Sequence, residues 1–168
     1  DWLSTLLPNQ ESIIFSRPVA MASFMLTTWL GGGADSFPLK LGNLVVHLLC
    51  GIAVWWLVRA VVRKDKSLSP HAEWLAVVLA TIWLLHPLHV STVLYAVQRM
   101  AQLSTLFTLL SVGVYVLARE QLSSGRTRLA TINLLLSVPL LVAAGVLSKQ
   151  NAAIAPFLCL VVEFAYFT

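Results

Sequence analysis

Between residues 84 and 107 the chain reads LLHPLHVSTVLYAVQRMAQLSTLF, which sets His86, His89, Gln98 and Arg99 in apolar surroundings. Polar groups removed from water are costly unless each finds a partner. His86 and His89 are three apart around Pro87. Two imidazoles at that spacing can ligate a metal, touch a phosphate or a sugar, or serve structural hydrogen bonds. No third ligand with a good pattern lies nearby, so no metal is expected. Arg99 stands where a helix is expected to begin. There an anion would gain from both the guanidinium and the positive helix end, the alternative being simple interface anchoring. Asn43 and His47, four apart, share one helix face. They line a polar pocket or bond to a neighbouring helix. Lys149, beside Gln150, is a second phosphate contact or a solvated turn, and Arg17 has the same two readings. The chain carries no G-x-S-x-G, P-loop or Rossmann glycine pattern.

The elements that must position these residues are apolar helices. The chain has 168 residues, 58% hydrophobic and 11% charged, against about 25% charged in a soluble domain. The mean hydropathy is +0.84. Together these predict an integral membrane protein. The start lacks Met and begins mid-pattern, which points to a piece of a longer protein. The fold class expected is all-α, a polytopic helical membrane protein with about five spanning or near-spanning helices plus an outer-face juxtamembrane helix. Residues 1–40 read as an outer-face loop. It opens with a short apolar stripe (Trp2, Leu3, Leu6, Leu7) ended by Pro8. Its juxtamembrane helix follows Pro18, with Ser16 as cap, and is broken by Gly31, Gly32 and Gly33.

Residues 41–168 read as the transmembrane domain. Its apolar runs are 41–58 (extending to 62), 74–85, 100–118, 129–148 and 151–167. Pro87 should bend or end the second, and Pro139 should kink the fourth. Cys50 and Cys159 lie inside apolar runs and read as buried packing residues. Glu163 reads as an interfacial carboxylate, and the tyrosines and tryptophans as belt or packing residues.

Charge sets an orientation. Seven basic residues (Arg59, Arg63, Lys64, Lys66, Arg119, Arg126, Arg128) fall at one set of helix ends and four (Arg17, Lys40, Arg99, Lys149) at the other. The richer set is expected in the cytoplasm. Arg17, His86, His89, Gln98, Arg99, Lys149 and Gln150 then face outward. The pI near 9.4 does not suggest nucleic acid, because the basic residues form short clusters between apolar runs rather than one face.

Four segments in order, SRPVAMASFML, NLVVH, HPLHVSTVLYAVQRMAQL and LSKQN, resemble the membrane domain of GT-C-type glycosyltransferases. The resemblance is strongest to the transmembrane-and-tetratricopeptide O-mannosyltransferases and their bacterial relatives. It rests on Arg17-Pro18, Asn43 and His47, His86-Pro87 with His89, Arg99, and Ser148-Lys149, and covers about residues 16–164. It implies a membrane enzyme that moves a sugar from a polyprenyl-phosphate donor to a protein or glycan acceptor at the outer face. A divalent ion is conceivable and not required. The location implied is the bacterial inner membrane with the site facing the periplasm. The family's acidic pair in the first outer loop has no counterpart among Asp1, Glu11 and Asp35, so a catalytic carboxylate is expected upstream of Asp1. Gln150 stands where the family often carries Glu, and the tetratricopeptide repeats are absent.

Arg99, Lys149, His86, His89, Gln98, Arg17, His47 and Asn43 are therefore the expected lipid-phosphate or sugar contacts. Two other readings compete. A noncatalytic membrane subunit would bind lipid phosphate or scaffold an assembly. A small transporter would carry polar residues through its whole depth instead of at one face.

Overall fold

The computed structural model describes residues 17–33 and 35–167, and these are helical with short connections. Helix α1 runs Pro18–Leu30. Pro18 takes its first position, where the missing N–H has no intrahelical partner to lose. Arg17 occupies the cap position. Ser16 lies outside the described residues, as do the apolar stripe before Pro8, Asp1 and Glu11. The glycine triplet ends α1 as its composition predicts. Gly32 takes a left-handed φ of 71°, and the Gly33 N–H reaches back to the Thr28 carbonyl at 3.0 Å.

Helix α2, Ser36–Val62, is 27 residues long. It begins before residue 41, inside the segment expected to be loop. Helix α3 is Ala72–Leu85, preceded by a 3₁₀ turn at Ser69–His71. Pro87 ends it. The chain then breaks into a short helix α4, His89–Leu94, and a 3₁₀ turn, Ala96–Gln98, before α5, Arg99–Ser123. Helix α6 is Thr127–Ser148. Its Asn133–Ser137 stretch winds as a π-helix, just ahead of Pro139. A proline clashes with the carbonyl four residues back, and the wider π turn moves that carbonyl away. A 3₁₀ segment, Gln150–Ile154, leads into α7, Ala155–Tyr166.

The five apolar runs expected to span or nearly span form three long helices and two shorter ones. Among the described residues, three helices are long and apolar enough to cross a membrane: Ser36–Val62, Ala96–Ser123 and Thr127–Ser148. Crossing needs about 20 apolar residues. The runs at 74–85 and 151–167 form shorter apolar helices, Ser69–Leu85 and Gln150–Tyr166. Pro87 stops the first, and Pro156 fits only near the start of α7.

Helix α5 is the hub, packed on α2, α6 and α7, with α3 packed on α2 and α1 across α2 and α6. Small residues permit the close approaches. Ala72, Ala76 and Ala80 form the buried stripe of α3. A Cβ on Gly113 of α5 would fall on the Trp56 ring of α2. Cys50 and Cys159 are buried and free, as their apolar settings predict.

The helix ends sort by chemistry. At one end Glu73 of α3 pairs with Arg59 (2.5 Å) and Arg63 (2.7 Å), Lys64 with Glu120 (2.8 Å), and Arg119 with Glu163 (2.6 Å). Glu163 also accepts the Tyr115 hydroxyl at 2.7 Å. Such partly exposed pairs contribute roughly 0.2–1 kcal/mol each, so their value is in joining α2, α3, α5 and α7 at a common end. The opposite end holds the break between α3 and α5.

Replacing Gly113 with valine should destabilise the protein by about 1–3 kcal/mol through overpacking. Thermal unfolding would show a lowered midpoint, and Trp56→Ala in the same chain should recover part of the loss.

Candidate functional site

The polar end is built on three stripes. Asn43, His47 and Cys50 are the buried stripe of α2, at spacings of four and three. Gln98, Ala101, Gln102 and Thr105 form one stripe where α5 begins, again at helical spacing. Ser23 and Thr27 share a face of α1.

Arg99 is fully buried, at 1% exposure. Its Nε donates to Asn43 Oδ1 at 2.8 Å. Its Nη1 donates to the Ser23 carbonyl at 3.1 Å and to Thr27 Oγ1 at 2.7 Å, and its Nη2 donates to the Leu39 carbonyl. The Phe24 ring lies 4.7 Å from Cζ. A guanidinium has five N–H donors, and four are thus held by α1 and α2. Gly42 makes room for it: a Cβ there would come within 2.5 Å of Nη2. Among the described residues no carboxylate pairs with Arg99.

The broken backbone between α3 and α5 leaves carbonyls without helical partners, and buried carbonyls need donors. Three side chains supply them. Asn43 Nδ2 donates to the Val93 carbonyl at 3.2 Å and to the Tyr95 carbonyl at 2.9 Å. His47 Nε2 donates to the Leu84 carbonyl at 3.1 Å, which places the proton on that nitrogen. Gln102 Nε2 donates to the Thr92 carbonyl at 3.3 Å.

His47, His86 and His89 are brought together. The ring centres of His47 and His89 are 5.3 Å apart and those of His86 and His89 6.2 Å, with Trp83 at 5.1 Å from His47 and 4.4 Å from His89. His86 Nδ1 accepts the Leu88 N–H at 3.3 Å. Burial first, then the neighbouring His47 and His86 imidazoles, hold the His89 pKa below its ordinary 6.5. Among the described residues no group of three His, Cys, Asp or Glu side chains could hold a metal ion.

Two openings flank this framework. A crevice of about 330 Å³ is lined by His47, Cys50, Trp83, His89, Thr92, Gln98, Ala101, Gln102 and Thr105. A larger groove of about 530 Å³ between α1 and α2 is lined by apolar residues including Leu26, Leu30, Phe37, Leu41 and Val45, with Arg99 among its lining. The two use adjacent residues: Val46 and His47 on α2, and Arg99 at the start of α5 with Gln98 in the 3₁₀ turn before it.

Arg17 and Lys149 stand apart from the imidazoles. Arg17 Nη1 donates to Met100 Sδ at 3.0 Å. The Lys149 carbonyl accepts the Ser104 hydroxyl at 3.2 Å. Ser104 and the crevice-lining Thr105 are consecutive, so they point about 100° apart around α5. Trp83, Gln102 and Thr105 were not singled out in the sequence. The Gln98–Gln102–Thr105 spacing was the signal for the last two. Trp83, three residues before His86, had no feature to separate it from belt tryptophans.

Arg99→Ala should cost more than about 3 kcal/mol, since each hydrogen bond from a charged donor is worth roughly 1.5–3 kcal/mol. Arg99→Lys should not restore it, because an ammonium cannot span acceptors on two helices. Thermal unfolding of both variants reads this directly. A second expectation concerns acid. A depressed His89 pKa means the unfolded chain takes up a proton first as pH falls below 6.5. Stability then drops until the folded-state pKa is passed, with no contribution at higher pH. Unfolding midpoints measured from pH 8 to 5 should fall in the wild type and less in His89→Gln.

Comparison with known proteins gives no match, whether to family models, curated proteins or solved structures, so the site is read from its own geometry.

Proposed function

We propose that this chain is the membrane-embedded, donor-holding part of a glycosyltransferase that uses a polyprenyl-phosphate sugar. The observation that carries the reading is the apolar groove between α1 and α2 with a buried, carboxylate-free guanidinium in its lining. A buried cation without an opposing charge favours an anion, and the groove walls favour hydrocarbon. An amphiphile with an anionic head satisfies both. The neutral crevice one residue away along α2 and α5 gives the head's polar substituent a place. The order of Arg17-Pro18, Asn43/His47, His86-Pro87/His89, Arg99 and Ser148-Lys149 is the family resemblance that names the amphiphile.

The bilayer position follows within this reading. The three long apolar helices cross, the ion-paired end lies in the cytoplasm, and the broken end faces outward, in a bacterium toward the periplasm. Transfer is a displacement. An acceptor hydroxyl oxygen bonds to the anomeric carbon, and the bond from that carbon to the phosphate oxygen breaks. The bonding pair stays on the phosphate, and the hydroxyl proton passes to a base. The cations of Lys149 and Arg17, with the field of Arg99, favour the charge growing on the phosphate. Asp35, at the start of α2, is the one described carboxylate at the polar end, and no acid lines the crevice. This last point favours a second reading, a noncatalytic subunit that binds the lipid phosphate for a partner.

Reconstitution in phosphatidylcholine vesicles tests both. Polyprenyl phosphate at a hundred times its Kd should stabilise the fold by about 2.7 kcal/mol, seen as a higher unfolding midpoint, and Lys149→Ala should reduce the shift. No shift overturns both readings. A shift without sugar transfer by the full-length protein leaves the noncatalytic one.

A further inference from the structure

We infer that His89 is the general base of the transfer, taking the acceptor's hydroxyl proton at the crevice and releasing it through a second opening beside His86. This deepens the transfer reading by naming the proton acceptor, and rests on that reading for the reaction itself.

His89 stands between two openings. One is the crevice between α2, α3 and α5. The other, of about 350 Å³, is walled by leucines and valines of α2, α3 and α4 and holds His86. His47 and His89 line both. Among the described residues, neither lining carries Asp, Glu, Lys or Arg. The imidazoles are therefore the groups there that can take up a proton near neutral pH.

The three imidazoles are not equivalent. His47 is 5% exposed, and its Nε2 is tied to the Leu84 carbonyl. His86 lines the second opening and not the crevice, and its Nδ1 is engaged by the Leu88 N–H. His89 is half-buried. Among the described residues its ring makes no hydrogen bond, only ring contacts with His47, His86 and Trp83. A neutral imidazole has one bare nitrogen to take a proton and one N–H to give one up, and in His89 both are uncommitted. The other titratable side chains of the two linings are His47, His86 and Cys50. Arg99, the charged residue where α5 begins, is committed to α1 and α2. With its pKa held below 6.5 by burial and by the neighbouring imidazoles, His89 is neutral at pH 7, the form a base requires.

The step balances on these groups. The acceptor O–H breaks, and its proton forms an N–H on His89. The freed oxygen pair bonds to the anomeric carbon, and the departing C–O pair stays on the phosphate. His89 then carries a proton on each nitrogen and yields one to water in the second opening.

Two measurements on the full-length protein in phosphatidylcholine vesicles test this. Diethylpyrocarbonate, with mass-spectrometric mapping, should modify His89 at pH 7 and spare His47. Transfer from polyprenyl-phosphate mannose or glucose to a threonine-rich peptide should lose kcat/KM as pH falls below 6.5, equally in wild type and in His71→Gln, which lies at the ion-paired end. His89→Gln should lower kcat about a hundredfold or more, lose that acid limb, and regain part of its rate with added imidazole. An inert His89, an unchanged kcat in His89→Gln, or a wild-type limb only near a carboxylate's pKa of roughly 4 would each overturn this proposal alone. The wild-type profile and the labelling decide it even where His89→Gln fails to fold. A reactive His89 with no transfer by the wild type overturns the transfer reading, and this one with it.

Discussion

A chain that breaks its helix among apolar neighbours must supply hydrogen bonds to the backbone it exposes, and much of this structure answers that requirement. The break lies between Leu85 and Arg99. Helices α3 and α5 end and begin there, so carbonyls at Leu84, Thr92, Val93 and Tyr95 lose the partners a continuous helix would provide. His47, Gln102 and Asn43 satisfy them from α2 and α5. Asn43 then turns its oxygen to Arg99. One framework of neutral side chains thus carries both the broken backbone and the buried cation. What it leaves uncommitted in the crevice lining is His89, Gln98 and Thr105.

Much of this was legible in the residue order. Arg17-Pro18 marked the start of α1, and the glycine triplet its end. Pro87 marked the end of α3, and the i, i+4 spacing of Asn43 and His47 put them on one buried face. The gathering of polar residues at one end also followed from where the apolar runs stop. Other features depend on distant contacts. Composition alone does not separate the 74–85 and 151–167 runs, which form shorter apolar helices, from the three runs that form long ones. The break at Pro87 that ends the first of them depends on partners from α2 and α5.

Arg99 shows the limit most clearly. Composition says that a guanidinium in such a place needs acceptors. It does not say whether they belong to a ligand or to the chain. Here Ser23, Thr27, Leu39 and Asn43 supply them, 56 to 76 residues away in sequence. Those contacts exist only once α1 packs beside α2. The same holds for Gln102, which looked like one more polar residue on a helix. Its importance comes from the Thr92 carbonyl, which its Nε2 reaches across the break.

The Arg99 tie also imposes an order of assembly. Helices α1 and α2 precede α5 in the chain, so the acceptors are synthesised before the cation that needs them. When α5 arrives, its first residue closes three helices in one step. A nascent α5 that fails to meet them retains a desolvated charge at its leading end, a state that favours retreat to water over settling among apolar helices. The arginine thereby acts as a proofreading device. It penalises any bundle in which the first two helices are missing or misplaced, and rewards only the one in which all three have docked.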